Sequence, residues 1–294
     1  MTATALDAPV AVPVKSPSHW ANVVRRFRRD PIAVTCLVLL LLIIAAAIFA
    51  PWIAPYDPYK TSMIRRLQVI GAPHYLLGTD ELGRDMLSRL IYGGRLSLFM
   101  GLGPVAIALV VGGCLGVAAG FLGGWVNTAI MRTVDVFYAF PSVLLAIAIS
   151  GALGAGLLNS IVSLTIVFVP PITRVAESVT TGVRSLDFVD AARATGADTF
   201  SIIRVHVLGN VLGPVFVYAS SLISVSIILS SGLSFLGLGV KPPEPEWGLM
   251  LNTLRQAIWI NPIVSILPGV AIFATSICCN LVSDGLRAAM DMRR

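Results

Sequence analysis

Five stretches of the chain contain no charged side chain, and each is long enough to fill a lipid bilayer. They are residues 31–56 (26 residues), 96–131 (36), 136–173 (38), 205–240 (36) and 256–283 (28). A helix that crosses the hydrocarbon core needs about 20 mainly apolar residues. Since lipid also requires a spanning segment to satisfy its own backbone hydrogen bonds, these stretches predict an all-α, polytopic membrane protein.

The composition agrees with burial of most of the chain in lipid. Charged residues make up 12% of the 294 residues, about half of the roughly 25% found in soluble domains, and the mean hydropathy is +0.86. The net charge of +6 does not indicate nucleic-acid binding, because the basic residues lie in short runs beside the apolar stretches. All four cysteines lie inside apolar stretches and indicate neither a metal site nor a disulfide framework.

The lengths of the apolar stretches predict six transmembrane helices. The 38-residue stretch can hold two spans joined by a tight turn at Gly154-Ala155-Gly156. Each of the others holds one span, near 98–122 in the second stretch and near 211–233 in the fourth. The first stretch is longer than the roughly 7–15 apolar residues of a signal peptide, so we interpret it as a retained first span.

An even number of spans places both termini on the same side of the membrane. With the N-terminus inside, the cytoplasmic segments carry 13 Lys and Arg residues and the outside segments carry eight, as the positive-inside rule expects. Both termini are therefore predicted to be cytoplasmic. The predicted parts are a cytoplasmic segment 1–30, a first span 31–56, an extracytoplasmic loop 57–95, a transmembrane domain 96–286 and a cytoplasmic C-terminus 287–294.

The outer loop 57–95 mixes acidic and basic residues. From Asp85 onward its pattern predicts an amphipathic helix that lies along the outer surface. Such a helix is either a solvated structural element or a contact for an extracytoplasmic partner.

Glycines recur at every fourth position in the second span. They are Gly112, Gly116, Gly120 and Gly124. On a helix this spacing gives a smooth face that lets another backbone approach closely, so we predict helix packing there.

The fifth span is rich in serine. Ser220, Ser224 and Ser231 are candidates for lining a wet pathway. The alternative is that these hydroxyls bond to helix carbonyls or to neighbouring helices.

The chain lacks the motifs of an enzyme. None of its three lysines, Lys15, Lys60 and Lys241, follows the glycine pattern of a phosphate-binding loop, and neither H-E-x-x-H nor Gly-x-Ser-x-Gly occurs. We therefore expect no catalytic residue, metal site or cofactor on this chain. No charged residue is predicted at the centre of a span, which argues against a proton- or sodium-driven carrier.

A polar, helix-capable segment, 185–210, separates the fourth and fifth spans. Ser185 or Asp187 can cap a short helix through Ala191 and Ala192, and Gly196 can end that helix in a left-handed conformation. The charge count places the segment in the cytoplasm.

A second short helix is expected after Gly196, capped by Asp198 or Thr199. Phe200, Ile203 and Val207 would share one of its faces. The spacing is also that of a DNA-binding helix-turn-helix. Membrane flanks on both sides and a single arginine on the second helix argue against that alternative.

The segment resembles the EAA loop of ABC importer permeases, in which Glu-Ala-Ala is followed after three residues by Gly and then by an apolar stretch ending near Leu-Pro. The residues that hold these places are Asp190, Ala191, Ala192, Gly196 and Leu208. Asp190 replaces the family's Glu and keeps its charge. Gly209 replaces its Pro and keeps a residue that disfavours helix.

Other motifs resemble the second permease subunit of the peptide/nickel branch of that family. The outer loop contains Gly78-Thr79-Asp80, Gly83-Arg84-Asp85 and Ser88-Arg89, similar to a GTDxxGRDxxSR signature. Leu233-Ser234-Phe235-Leu236-Gly237, Pro242-Pro243 and Trp247-Gly248 are similar to the loop before the last span of that subunit. The resemblance extends over nearly the whole chain after residue 25.

The resemblance implies that the polar segment couples the permease to a separate ATPase. The implied coupling residues are Asp190, Ala191, Ala192, Gly196, Ile203, His206 and Leu208. The implied partners are a homologous second permease subunit, two ATPase subunits that hold ATP and Mg, and an extracytoplasmic substrate-binding protein. The expected cargo is a dipeptide or oligopeptide, with nickel chelates or haem as alternatives and a secondary carrier or channel as the competing class.

Overall fold

The computed structural model describes residues 19–290, and its regular secondary structure over that range is helical. The predicted terminal segments 1–30 and 287–294 lie partly outside the described residues. The helices are α1 (His19–Phe27), α2 (Pro31–Ile48), α3 (Ala50–Ile53), α4 (Met86–Leu122), α5 (Gly124–Tyr138), α6 (Ser142–Leu153), α7 (Leu157–Arg184), α8 (Asp187–Ala194), α9 (Thr199–Ile202), α10 (Leu208–Phe235), α11 (Trp247–Thr253) and α12 (Pro262–Met290).

Five helical stretches within residues 19–290 are long and apolar enough to cross a membrane. They are α2, α4, α7, α12 and the stretch Thr199–Phe235, which contains α9 and α10. A sixth span requires α5 and α6 together, because each alone is shorter than the roughly 20 residues that a span needs. The described chain therefore has five continuous candidate spans and one that is broken.

The broken span bends by 90° between α5 and α6. Pro141 is extended, with φ −57° and ψ 127°, and the residue before a proline disfavours helical geometry. The first helix therefore ends at Tyr138 and the next begins at Ser142. The turn predicted at residues 154–156 is present, with Gly154 at φ +86°.

Helix α4 differs from the prediction for the outer loop. The sequence suggested a surface helix from Asp85 and a separate span from about residue 98, whereas one continuous helix covers Met86–Leu122. Arg95 does not interrupt it, because its guanidinium donates to the carbonyls of Ala47 (2.6 Å) and Ile48 (2.8 Å) at the end of α2. The predicted boundary at 95/96 thus lies inside a helix.

Three of the four periodic glycines lie against α7. A Cβ on Gly112 would lie 2.8 Å from the carbonyl oxygen of Val169, and one on Gly120 would lie 2.7 Å from that of Glu177. Gly124 differs: it lies beyond α4 with φ +52°, and among the described residues nothing lies within 4 Å of a Cβ there. The close helix approach is therefore built from residues 112, 116 and 120.

Replacing Gly116 by Leu should force α4 and α7 apart. A Cβ at this position would lie 2.5 Å from the Cβ of Ala176 and 2.8 Å from the amide nitrogen of Glu177. Overpacking of this kind typically costs about 1–3 kcal/mol, so we expect a lower melting temperature in detergent. Gly113→Leu is the matched control, because within the described structure a Cβ there meets nothing within 4 Å. Equal losses in both variants would contradict the packing role.

The two ends of the described chain lie beside each other. Val23 and Phe27 of α1 form an apolar cluster with Ala33 of α2 and Ala289 near the end of α12. The two ends of the described chain therefore lie on the same side of the helical bundle. That this side is cytoplasmic remains a prediction from the charge count.

Candidate functional site

The polar segment 185–210 begins with α8, which follows α7 after two residues. Neither predicted cap is used: Leu186 is the N-cap, with no side-chain hydrogen bond in the described structure. The Ser185 hydroxyl instead donates to the carbonyl of Gly182 at 2.9 Å. Asp187 is the first helical residue, where its charge favours the helix dipole without capping.

Gly196 ends α8 in the left-handed conformation that the sequence predicts. Its φ is +82°, its amide donates to Arg193 at 3.0 Å, and the next amide, of Ala197, donates to Ala192 at 3.2 Å. Among the described residues nothing lies within 4 Å of a Cβ at this position. Glycine is therefore favoured here by backbone geometry and not by crowding within the chain.

The predicted second helix exists but does not stand alone. As expected, Asp198 caps α9 by accepting a hydrogen bond from the amide of Ser201 at 3.2 Å. A π-helical turn, Ile203–Val207, then joins α9 directly to α10. The prediction of a separate second helix is wrong, because the chain continues without a break into the fifth long helix.

The π turn also changes which side chains are buried. The predicted face of Phe200, Ile203 and Val207 assumes regular α-helical spacing, but a π turn inserts a residue and rotates the next part of the helix about its axis. Ile202 and Val207 are buried at 2% and 0% exposure, whereas Phe200 is 71% exposed.

The exposed residues of the predicted coupling set are Asp190, Ala191 and Gly196. Asp190 forms an ion pair with Arg193 at 3.0 Å, one turn along the same helix. These residues therefore present a small, polar surface at the end of α8.

The other predicted coupling residues lie against the chain itself. Ala192 is buried in the main apolar core, and Ile203 and Leu208 pack against that core. His206 is half-buried, and its ring centroid lies 6.1 Å from that of Phe188. These side chains hold the segment in place.

Large apolar side chains of the polar segment are also exposed. Leu186 (45%), Phe188 (39%), Phe200 (71%) and Val205 (64%) all lie within the polar segment. An exposed group of this kind beside charged residues is typical of a protein-binding surface.

The three candidate pathway serines lie in different surroundings. Ser224 lines a cavity of about 750 Å³ between α10 and α12. The Ser220 hydroxyl donates to the carbonyl of Val217 at 2.8 Å. Ser231 is buried where the backbone of α10 meets Gly248 of α11. Of the three, the structure places Ser224 at an open cavity.

The outer loop contains a buried charged cluster that sequence reasoning missed. Asp80, Arg84 and Arg89 are each only 2–3% exposed. One oxygen of Asp80 lies 2.6 Å from Nε of Arg84 and 3.2 Å from Nε of Arg89. These three residues belong to the GTDxxGRDxxSR-like signature of the outer loop. The mixed charges of that loop suggested a solvated surface.

The same cluster ties the loop to the segment before α11. Nη1 of Arg89 donates to the carbonyl of Pro58 at 3.1 Å and to that of Pro243 at 3.4 Å. Residues that are far apart in the chain thus form one layer at the start of α4.

Glu246 completes this layer. It is fully buried and accepts hydrogen bonds from the Ser97 hydroxyl at 3.1 Å and from the amides of Gly248 and Leu249 at 2.9 and 2.8 Å. Burial raises the pKa of its carboxyl, and these hydrogen bonds oppose that rise. Trp247 then fixes α11 on α4 by donating from Nε1 to Leu90 at 2.9 Å.

The Glu246→Gln variant should flatten the dependence of stability on pH. The carboxyl's folded-state pKa is raised above 4.5, so its stabilising contribution is fully present below the unfolded-state pKa and is lost as pH rises through the folded-state pKa. Melting temperatures measured from pH 4.5 upward should therefore fall more in the wild type than in the variant. Parallel profiles would show that Glu246 does not titrate differently on folding.

Two family models match the chain. The family described as the binding-protein-dependent transport system inner membrane component matches residues 112–294. The N-terminal transmembrane domain of oligopeptide transport permease C matches residues 18–69.

Named relatives are similar over nearly the full length. The glutathione transport system permease protein GsiD of Pectobacterium atrosepticum is 40% identical over 92% of this chain and 90% of its own. The di/tripeptide transport system permease protein DppC of Pseudomonas aeruginosa is 41% identical over 98% of this chain and 96% of its own. A solved inward-facing structure of the MetNI methionine ABC transporter matches with a TM-score of 0.56 and 20% identity, over 69% of this chain and 97% of the solved chain.

Proposed function

We propose, because the chain belongs to the family of inner-membrane components of binding-protein-dependent transport systems, that it forms half of the translocation pathway of an ATP-driven peptide importer. The observation that carries this function is the exposed turn from α8 to Gly196, which projects between two spans of a chain without a nucleotide-binding motif. Peptide cargo is supported by the relatives, whose names specify glutathione and di/tripeptides.

The exposed half of the polar segment is the proposed docking site for an ATPase subunit. Asp190, Ala191 and Gly196 offer a low-relief polar surface, and Phe200 offers an apolar side chain that is 71% exposed. Small side chains let a partner backbone approach closely, while a desolvated aromatic residue is a common source of binding energy. The buried half of the segment keeps this surface fixed.

The connections to α7 and α10 explain how movement of an ATPase would reach the membrane. Two residues separate α7 from α8, and the π turn joins α9 to α10 without a loop. Val207 and Val211 are buried at 0% and 1% exposure and anchor the start of α10. A push on the segment therefore moves two spans as packed bodies, as in other rigid-body transitions.

The proposed assembly contains a homologous second permease subunit, two ATPase subunits and an extracytoplasmic substrate-binding protein in the bacterial inner membrane. ATP and Mg are assigned to the ATPase subunits. The layer formed by loop 57–95 and α11 is the proposed surface for the binding protein, since the buried charges of Asp80, Arg84 and Arg89 give it a fixed shape. The polar segment and the chain termini are assigned to the cytoplasm.

Reconstitution tests this function. Proteoliposomes that contain both permease subunits and both ATPases should take up radiolabelled trialanine when ATP is inside and the binding protein is outside. Omission of the ATPase subunits should abolish uptake, and uptake that persists without them would indicate a secondary carrier. A nickel chelate and haem, tested with the same vesicles, distinguish the alternative cargoes.

A further inference from the structure

An ion pair lies within the membrane-crossing helices. Nη2 of Arg174 in α7 pairs with Oδ1 of Asp135 in α5, and their side chains are 45% and 46% exposed. Arg174 lies ten residues before the end of α7, and Asp135 lies three residues before the 90° break. Both residues lie outside the charge-free stretches but inside helices, because these helices extend beyond those stretches.

We expect a half-exposed ion pair inside candidate spans to face water or protein and not lipid. Charged side chains inside membranes almost always face a water-filled cavity or another part of the protein. Arg174 also lies over the ring of Tyr138, with Cζ 4.4 Å from the ring centroid. Beyond Tyr138 the whole break, residues 139–144, is exposed. The pair and the Tyr138 ring thus form an exposed polar patch beside the break, whose own exposed residues, such as Phe140 and Leu144, are mainly apolar.

Further charged groups lie on the cavity between α10 and α12. Arg287 and Asp284 line the cavity of about 750 Å³ between these helices. Within residues 19–290 neither of them forms an ion pair. This cavity therefore presents one acidic and one basic side chain that are not held in ion pairs within the described residues.

We infer that Asp135, Tyr138 and Arg174 form a contact site in the translocation pathway for the charged termini of a passing peptide. This inference rests on the proposed function. Arg174 binds the C-terminal carboxylate and Asp135 binds the terminal ammonium group, while Tyr138 keeps the guanidinium in place. Short peptides of any sequence share these two termini.

The Arg174–Asp135 ion pair is suited to binding both peptide termini because the pair carries no net charge. When a zwitterionic peptide enters, Arg174 exchanges Asp135 for the C-terminal carboxylate. Asp135 exchanges Arg174 for the terminal ammonium group. Neither charge is then left without a counterion at a half-buried site, where an unpaired charge is costly. Contacts to charged groups are also stronger than neutral hydrogen bonds.

Blocked peptides separate this role from a structural one. Uptake of trialanine, trialanine amide and N-acetyl-trialanine is measured in proteoliposomes of the complete importer, with the peptide-loaded binding protein saturating. In Arg174→Gln the preference for the free carboxylate over the amide should fall roughly tenfold. In Asp135→Asn the preference for the free amino group over the acetylated form should fall similarly, while the carboxylate preference remains.

The matched control is Glu177→Gln. Glu177 also joins α7 to α5, since Oε1 accepts a hydrogen bond from Nδ2 of Asn127 at 2.7 Å. This variant should change uptake of all three peptides by the same factor. If Arg174→Gln and Asp135→Asn also leave both ratios unchanged, the pair is structural and the inference is wrong. Loss of ATP dependence in the wild type would instead overturn the proposed function.

Thiol labelling gives a second readout that does not depend on transport by the substituted site. Tyr138→Cys, in a background without the native cysteines, should react with a water-soluble charged thiol reagent. Trialanine at about 10 mM, well above typical micromolar to millimolar affinities, should slow that reaction. Leu41→Cys is the control, because Leu41 is an exposed apolar residue of α2. Equal reactivity at both positions, or no protection by trialanine, would contradict the inference.

Discussion

Replacing Asp80 by Asn should destabilise the outer layer by about 3–5 kcal/mol, the usual cost of removing one partner from a buried ion pair. Asp80 is 2% exposed and faces Arg84 and Arg89, both nearly as deeply buried. Asn keeps the size of the side chain but removes the carboxylate charge that both guanidinium groups approach within 3.2 Å. The two arginines would then repel each other without access to water.

The measurement is thermal unfolding of the purified chain in detergent, together with protease sensitivity of the outer loop. Glu81→Gln is the matched control, because Glu81 lies 3.0 Å from the same guanidinium of Arg84 but its side chain is 22% exposed. Water can compensate for that loss, so we expect a change below about 1 kcal/mol. Similar melting temperatures for the Asp80 variant and the wild type would contradict a structural role for the cluster.

The cluster shows what the sequence could and could not predict for the outer loop. Residues 78–89 display the charges and their spacing. Their burial depends on contacts with distant segments. Arg89 donates a hydrogen bond to the carbonyl of Pro243, and the side-chain amide of Asn261 donates to the carbonyl of Gln68 at 3.1 Å. Local patterns contain no information about such contacts, so a buried network and a solvated helix look alike.

For the spans, charge-free stretches predicted the existence and order of the long helices but not their ends. A charged residue can lie inside a long helix when the protein supplies a partner for it. Arg95 finds the final carbonyls of α2, and Arg174 finds Asp135. Both helices therefore continue past the point where hydropathy changes. The break at Pro141, in contrast, results from local backbone chemistry.

The polar segment also combines features that have a local sequence signal with a feature that has none. Gly196 and Asp198 act through their own backbone neighbourhood, and their left-handed conformation and capping role were predicted correctly. The π turn at Ile203–Val207 has no local signal of this kind. It places Val207 and Ile202 in the core together, which is a gain in tertiary packing that the helical period of the sequence does not show.

Replacing Gly196 should abolish ATP-dependent uptake while membrane insertion stays intact. Val at this position would have to adopt φ +82°, which costs a β-branched residue on the order of 1–2 kcal/mol. In addition, any side chain would project from the proposed docking surface, where Gly196 is exposed. Strain within the chain and obstruction of the partner therefore both act in Gly196→Val.

Gly196→Asn separates these two effects. Asn tolerates the left-handed conformation better than other non-glycine residues, and among the described residues a Cβ at 196 meets nothing within 4 Å. We therefore expect the Asn variant to fold with nearly wild-type stability and still lose ATPase binding in a pull-down from detergent. Gly209→Ala is the control for a change of glycine in the same segment, since a Cβ there also meets no described atom within 4 Å. If Gly196→Asn binds the ATPase and transports normally, glycine serves only the backbone turn, and the docking surface must lie elsewhere on the segment.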